Sequence, residues 1–237
     1  MTPSLPPLRD QLLHPSGGLV YHLRALRHRH GLWRGFHQTV AGWLDAWQPA
    51  RRRLVLVGPN AGHALPGGFL ARFDEVVALE PDPLARWWLA RRPDATRLRF
   101  LAADCLGTPD GLAGLASAFP DAAVLFSNVL GQLPAPEATW SALLNQHLAG
   151  QPWASYHDVA STERPPQCTT PVTLTGKDNL ETTLARFWQG GTLTVNDHET
   201  FRLGGRGPFS YVPWQLAPGR WQLVEWTTRG APPPAQA

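Results

Sequence analysis

The sequence predicts an α/β fold in which a mostly parallel, seven-stranded sheet carries helices on both faces. Its 237 residues, 43% of them apolar, suit one full core and are too few for two typical domains of about 100–150 residues each. Continuous aliphatic runs alternate with helical patterns, and their starts lie about 22–30 residues apart, the length of a β-α-β unit. Two final strand-like runs joined by a short turn predict an antiparallel hairpin at the end of the sheet.

Three parts follow from this pattern along the chain. Residues 1–48 are predicted to form an N-terminal helical cap, 49–229 the sheet domain, and 230–237 a disordered tail. Within the cap, apolar side chains recur at steps of three and four residues, which is typical of an amphipathic helix. Gly31 is expected to divide this stretch into two helices.

Five aliphatic runs are the predicted parallel strands. They show no alternation of polar and apolar residues, which is typical of strands that are buried on both faces. They are residues 53–58, 75–80, 97–104, 122–128 and 153–159. The predicted hairpin follows over 209–228, with Ala-Pro-Gly at its turn.

Helices are predicted between and after these strands. The clearest begins with Asp82 as the capping residue and Pro83 at the first helical position. Others are predicted over 135–150 and 177–188, and the segment 192–203 reads as strand-like.

Composition argues against several functional classes. Charged residues make up 16% of the chain, and the net charge of +3 rests almost entirely on arginine, so a nucleic-acid partner is not expected. No apolar run reaches the roughly 18–20 residues that span a bilayer, and no export signal is evident. The two cysteines, Cys105 and Cys168, make no disulfide framework. We therefore expect a cytoplasmic protein without a membrane partner, and the oligomeric state is not predicted.

A glycine-bearing loop follows the first predicted strand. It begins with Gly58, Pro59 and Asn60 and reaches Gly62. A buried strand that leads into such a turn is where α/β sheets bind nucleotides, because glycine lets the backbone approach a ligand. Asn60 stands where the dinucleotide pattern has its second glycine, and no phosphate-loop pattern is present. A structural turn and a ligand-binding loop therefore both remain open.

Carboxylates end the next two predicted strands. Glu80 lies 22 residues beyond Gly58, where an acid can accept hydrogen bonds from two ribose hydroxyls. Asp104 follows 24 residues later and can accept a bond from an adenine amino group. The alternative interpretation is a surface carboxylate for Glu80 and a helix or turn cap for Asp104.

These segments resemble the Rossmann-like core of class I S-adenosylmethionine-dependent methyltransferases. LVLVGPNAG, VVALEPDPLA, FLAADCL and AVLFSNVLGQLP follow one another in the order and spacing of that family, over roughly residues 50–160. The resemblance implies S-adenosylmethionine as the cofactor. It places the loop from Gly58 to Gly62 at the methionine part, Glu80 at the ribose and Asp104 at the adenine.

The same resemblance implies that a methyl acceptor lies beside the fourth and fifth strands. It places Ser127 and Asn128 next to the methyl group of the cofactor. His157 and Asp158 end the fifth strand, and His198 lies in a later polar segment. Because histidine titrates near neutrality, His157 or His198 could take a proton from the acceptor, and we favour His198. Asp158 is the third candidate catalytic residue.

Two departures from the family leave a second functional class open. Leu56 stands where the first strand of the family usually carries an acid, and Asn60 replaces the middle glycine. The predicted function is therefore methyl transfer to a small molecule or a protein side chain. The alternative is a non-catalytic, methyltransferase-like binding or scaffolding module.

A metal site is the least favoured use of the same residues. Asp158, Asp197 and His198 are acceptable ligands for a divalent ion. Their spacing does not fix their mutual distance, and adjacent residues of a strand point to opposite faces. We therefore predict no metal.

Overall fold

In this computed structural model the described residues are 5–7, 18–132, 139–175, 178–205 and 207–230. The helices are α1 (Gly18–His28), α2 (Arg34–Ala46), α3 (Pro83–Leu89), α4 (Gly111–Ala118), α5 (Trp140–His147) and α6 (Leu180–Leu184). The strands are β1 (Arg53–Val57), β2 (Glu75–Leu79), β3 (Leu98–Phe100), β4 (Ala122–Ser127), β5 (Trp153–Thr162), β6 (Val172–Leu174), β7 (Asn196–Asp197), β8 (Phe209–Ala217) and β9 (Arg220–Arg229). The proline-rich start of the chain and the predicted tail lie mostly outside the described residues.

The sheet confirms the predicted Rossmann-like α/β fold. Its strand order is β3-β2-β1-β4-β5-β9-β8-β6, and β7 pairs with the end of β5. The strands β1 to β5 run parallel, and the hairpin of β8 and β9 joins β5 antiparallel. The chain order reverses between β1 and β4, so ligands of such a sheet are expected at the carboxyl ends of these strands. The two strands beyond the predicted seven, β6 and β7, have only three and two residues, too few for a readable pattern.

Two cores cover the two faces of the sheet. In β1, Leu54 and Leu56 pack on one face with the helices α1 and α2, while Val55 and Val57 pack on the other with α4 and α5. Both sets are almost fully buried, which explains the continuous aliphatic runs of the parallel strands.

The N-terminal helices pack on the first of these faces. α1 ends at His28 and α2 begins at Arg34, so the predicted division near Gly31 is confirmed. The apolar stripe of α2 is buried, and the indole N–H of Trp33 donates to the carbonyl oxygen of Leu216 at 3.1 Å. The helices are thereby fixed to the hairpin of β8 and β9. Within the described residues, no helix combines the length and the apolar character that crossing a membrane requires.

Two predicted strands are shorter in the structure. The third strand, predicted over 97–104, covers Leu98–Phe100, because Asp104 donates its backbone N–H to Pro6 and turns away from the sheet. The strand-like segment 192–203 contributes only Asn196–Asp197, and the chain then adopts positive φ at Glu199 and Arg202.

The helices predicted over 135–150 and 177–188 are also shorter than expected. The first begins at Trp140 after the capping residue Thr139, and 133–138 lie outside the described residues. The second is limited to Leu180–Leu184 by a capping box at Asn179. The start of α3 is as predicted, since the Asp82 carboxylate accepts the backbone N–H of Leu84.

Candidate functional site

A cleft of about 1020 Å³ opens at the carboxyl ends of β4 and β5. Its walls come from α1, the turn after β4, the segment 192–199 and the hairpin of β8 and β9. Three of the predicted site residues line it together, namely Asn128, Asp158 and His198. The cleft therefore lies beside the reversal of strand order, where an α/β sheet is expected to bind its ligand.

Asp158, His198 and Ser161 form a connected array in this cleft. His198 Nδ1 lies 3.0 Å from Asp158 Oδ2, and His198 Nε2 lies 3.1 Å from Ser161 Oγ. The Asp158 side chain is 3% exposed and also accepts a hydrogen bond from Gln222 Nε2 at 2.7 Å. A buried carboxylate on one nitrogen of an imidazole favours the proton there and leaves the other nitrogen as an acceptor.

A β-bulge places Asp158 and Ser161 on the same side of β5. Residues three apart on a regular strand point to opposite faces. Here the pairing with β9 advances from Asp158 to Ala160 while the partner advances only from Val224 to Leu223. The extra residue turns Ser161 back to the face of Asp158, as bulges beside functional sites commonly do.

The local charge raises the pKa of His198 above its ordinary value. Burial is the largest single influence and lowers the pKa, but the contacts with Asp158 and the charge of Asp197 together outweigh it. The imidazolium form is thus stabilised inside the cleft. A base with such a pKa holds a proton well once it has taken one.

His157 lies on the opposite face of β5 and is fully buried. Its Nε2 is 3.2 Å from the carbonyl oxygen of Thr200 and 3.3 Å from Glu225 Oε1, and its Nδ1 is 2.9 Å from Ser155 Oγ. The residues that provide these partners, Ser155, Thr200 and Glu225, are all buried. The structure therefore places His157 outside the cleft that holds His198.

Glu225 fastens the loop that follows His198. Its two carboxylate oxygens accept the backbone N–H groups of Arg202 and Leu203, at 2.7 and 3.0 Å. Together with the bond from His157 to Thr200, this anchors the chain on the far side of the sheet. His198 is in turn held by its own N–H, which donates to Val159 at 3.0 Å.

The glycine loop after β1 has an unusual backbone. Positive φ values occur at Gly58, at Gly62 and at the two non-glycine residues Asn60 and Ala61. Strain of this kind is common at functional sites. Gly58 also has a packing reason to be glycine, because a Cβ there would lie 2.0 Å from a methyl group of Val129.

Glu80 joins this loop to the end of β2. Glu80 is 3% exposed. Its carboxylate accepts the backbone N–H of Asn60 at 2.8 Å and that of Asp82 at 2.9 Å. Burial raises the pKa of Glu80 to about 7, although both N–H groups act to lower it. The predicted ribose residue and the predicted glycine loop are thus in direct contact.

Asp104 and Ser127 have local partners. Asp104 Oδ1 accepts the backbone N–H groups of Leu106 and Gly107, both at 2.9 Å, which is the turn-capping role given above as the alternative. Ser127 is 1% exposed, and its hydroxyl lies 2.6 Å from that of Tyr156. Ser127 is therefore below the floor of the cleft, whereas its neighbour Asn128 lines the cleft with φ +57°.

Tyr21 of α1 connects the two regions. It lines the cleft, and its pKa is raised first by burial and then by the nearby Tyr156 and Glu80. Glu80 is thus close enough to act on a side chain that also borders the space in front of His198. The two regions also adjoin at the end of β4, because Val129 packs on Gly58 and its neighbour Asn128 lines the cleft.

Sequence reasoning missed Ser161, Tyr21 and Gly131. A β-bulge brings Ser161 to the face of β5 that contacts His198, and no pattern in the sequence predicts that bulge. Tyr21 belongs to a helix with an ordinary apolar pattern. A Cβ at Gly131 would lie 2.3 Å from the carbonyl oxygen of Asp158, a long-range approach that only the structure reveals. Among the described residues, no group of three or more His, Cys, Asp or Glu side chains could hold a metal ion.

Solved structures that are similar to this chain include an N-methyltransferase and other proteins crystallised with SAH. The "DhpI-SAH complex structure" is 17% identical, covers 90% of this chain and 94% of that chain, and has a TM-score of 0.42. The N-terminal domain of EvdMO1 with SAH bound is 14% identical, covers 80% and 79%, and has a TM-score of 0.44. N-methyltransferase NodS from Bradyrhizobium japonicum WM9, in complex with S-adenosyl-L-homocysteine, is 10% identical, covers 83% and 86%, and has a TM-score of 0.39. No protein-family model and no curated protein sequence matches the chain.

Proposed function

We propose that this chain transfers a methyl group from S-adenosylmethionine to an acceptor bound in the cleft, a small molecule or a protein side chain. The observation that carries the proposal is the position of Tyr21. This side chain borders the cleft that contains His198, and its ring centroid lies 6.1 Å from that of His63, the residue that follows the glycine loop. A group-transfer enzyme needs its donor and acceptor in contact, and these two regions adjoin.

The residues at the ends of β1, β2 and β3 fit the cofactor. Each Glu80 oxygen accepts one backbone N–H, and a carboxylate oxygen can accept a second bond, here from a ribose hydroxyl. Asp104 Oδ1 accepts the backbone N–H groups of Leu106 and Gly107, and Oδ2 would accept a hydrogen bond from an adenine amino group. The strained loop from Gly58 to Gly62 would face the methionine part. When bound, the cofactor supplies an electrophilic methyl group.

His198 would act as the base for the acceptor. An acceptor hydroxyl or amine takes the place of Ser161 Oγ at His198 Nε2, and its proton moves to that nitrogen. The Asp158 carboxyl group, 3.0 Å from Nδ1, would stabilise the resulting imidazolium. Asn128, at the end of β4, would orient the acceptor from the other side.

A non-catalytic module remains the second candidate, and one observation favours it. Leu56 is fully buried in the core, and Val129 packs directly on Gly58. Packing alone therefore accounts for two residues of the first-strand motif. Such a module would keep the fold and the cleft but would not bind the cofactor.

Calorimetry of the full chain with S-adenosylmethionine and S-adenosylhomocysteine separates the two candidates. We expect one site for each ligand. Glu80→Ala should weaken S-adenosylhomocysteine binding by about 10- to 100-fold, since a charge-assisted hydrogen bond contributes about 1.5–3 kcal/mol. Asp104→Ala should have a smaller effect, because it accepts from a neutral amine.

Two further variants make the titration decisive. Glu181→Ala removes an exposed carboxylate on α6 and should leave the affinity unchanged. Glu80→Gln preserves the shape of the side chain and guards against a folding defect in Glu80→Ala. Absence of binding by the folded wild-type protein would support the non-catalytic module and rule out the enzyme.

A further inference from the structure

Two arginines line the cleft without a partner. Arg24 comes from α1 and Arg220 from the start of β9, at the end of the cleft formed by α1 and the hairpin. Neither makes a hydrogen bond or an ion pair with any residue in the described part of the chain. Arg164 borders the same cleft, but its guanidinium donates to the carbonyl oxygens of Thr192 and Gln189. Unlike Arg164, Arg24 and Arg220 therefore have guanidinium groups that are available to bind a ligand in the cleft.

The two guanidinium groups lie close enough to repel each other. The pKa of Arg24 is lowered, first by its partial burial and then by the charge of Arg220. Some arginines elsewhere are paired with acids, as Arg53 is with Glu75 and Arg92 with Asp94. An anion placed between two unpaired guanidinium groups would relieve this repulsion and accept charge-assisted hydrogen bonds from both.

Apolar side chains form the wall beside these arginines. They are Tyr21, Trp214 and Leu216. Trp214 is held rigidly, because it stacks on Phe36 with ring centroids 4.4 Å apart and an interplanar angle of 12°. A rigid aromatic wall suits a ligand with a flat apolar body.

The end of the cleft that holds Arg24 and Arg220 is connected to His198 through residues of β9 and β5. Arg220 and Gln222 are two residues apart on β9, so they share a face and are separated by about 7 Å along the strand. Gln222 donates to Asp158, which contacts His198. Glu163 and Glu199 also line the cleft, and two further acids, Asp158 and Asp197, lie at its histidine end. They would repel an anionic group there and so fix the orientation of a charged ligand.

We propose that the cleft binds a small organic acid with a flat apolar body, whose anionic group is held between Arg24 and Arg220. A hydroxyl or amino group at the opposite end of this molecule faces His198. The role of the acid as methyl acceptor rests on the proposed function, whereas its binding does not.

Titration with a matched pair of probes tests the site without any cofactor. The probes are 4-hydroxybenzoate and its neutral amide, 4-hydroxybenzamide, measured by calorimetry at low salt. The acid should bind the wild-type protein at least about tenfold more tightly than the amide. Arg24→Gln and Arg220→Gln should each weaken binding of the acid by about tenfold and leave the amide unchanged. Arg34→Gln, which removes an exposed charge from α2, is the matched control and should change neither affinity.

The outcomes separate this proposal from the methyltransferase proposal. Equal binding of acid and amide, no binding of the acid, or an equal loss in Arg34→Gln would overturn the anion site. S-adenosylhomocysteine should bind Arg24→Gln and Arg220→Gln as it binds the wild-type protein. If the acid binds as described and S-adenosylhomocysteine does not, the anion site stands and only its assignment as an acceptor site is lost.

Discussion

The loop region at the ends of β1 and β2 and the cleft at the ends of β4 and β5 are built in opposite ways. In the loop region, a buried carboxyl group is held by backbone N–H groups from two adjacent segments. In the cleft, side chains from β5, β9 and the segment after β7 contact one another around open space. The first arrangement fixes the shape of the backbone, while the second leaves polar groups facing a ligand.

This difference separates binding from chemistry. Groups that position a ligand gain from rigidity, as Glu80 does within its turn. A group that exchanges protons must reach the ligand and must have a pKa near the working pH. His198 can reach a ligand, because its side chain lines the cleft and is 11% exposed; although burial acts to lower its pKa, the contact with Asp158 raises it above the ordinary value and so stabilises a proton that the imidazole takes.

The largest expected effect is the loss of turnover in the cleft variant His198→Ala. Once a methyl acceptor is known, turnover should fall by ~10²-fold or more, because the proton of the acceptor no longer has a base. Affinity for S-adenosylhomocysteine should stay unchanged, since the loop region is intact. Transfer of a labelled methyl group measures the first effect and calorimetry the second. His30→Ala, an exposed histidine variant, is the control, and equal turnover in both variants would refute a role for His198.

A smaller effect concerns the proton on His198. Asp158→Asn removes the main charge that raises the pKa of the imidazole, so burial should dominate and the pKa should fall. Titration of the histidine ring by NMR measures this directly. A raised folded pKa gives stability that is present below the ordinary value of 6.5 and is lost as the pH rises through the folded value. The wild-type protein should therefore exceed Asp158→Asn in stability most clearly under mildly acidic conditions, and a constant difference would contradict the ion pair.

The smallest expected effect is a pH dependence of stability from the loop region. The folded pKa of Glu80, about 7, exceeds its ordinary value of 4.5, so the neutral carboxyl group favours folding. Its contribution is complete below pH 4.5 and is lost as the pH rises through 7. The melting temperature of the wild-type protein should fall relative to Glu80→Gln by at least about 2 °C between pH 5 and pH 8. Parallel melting curves across that range would contradict the raised pKa.

The loop region was largely predictable from the sequence. Aliphatic runs buried on both faces locate β1 and β2, and the sheet then brings the ends of these strands together. The contact between Glu80 and the glycine loop follows from that geometry. What the sequence could not indicate is that Val129 packs on Gly58, because this depends on a distance of a few ångströms. For Asp104 it left two interpretations open, and the structure shows that the side chain caps its own turn.

The cleft was predictable only in part. Asp158 and His198 were identifiable as candidate residue types, but their contact depends on β7, which has two residues. The position of Ser161 depends on a bulge that alters the face of the strand. The burial of His157 follows simple alternation on β5, yet its partner Glu225 lies on a strand 68 residues later. A two-residue strand and a contact between residues far apart in the chain leave no pattern in the local sequence from which they could be predicted.

The continuity of the two regions is tested most directly by NMR of the histidine side chains during titration with S-adenosylhomocysteine. The resonance of His198 is assigned by its absence in His198→Ala. If the ligand fills the loop region and reaches the cleft past Tyr21, this resonance should shift in proportion to saturation while that of His30 stays in place. Saturating binding with an unchanged His198 resonance, or no binding at all, would contradict a single site shared by the two regions.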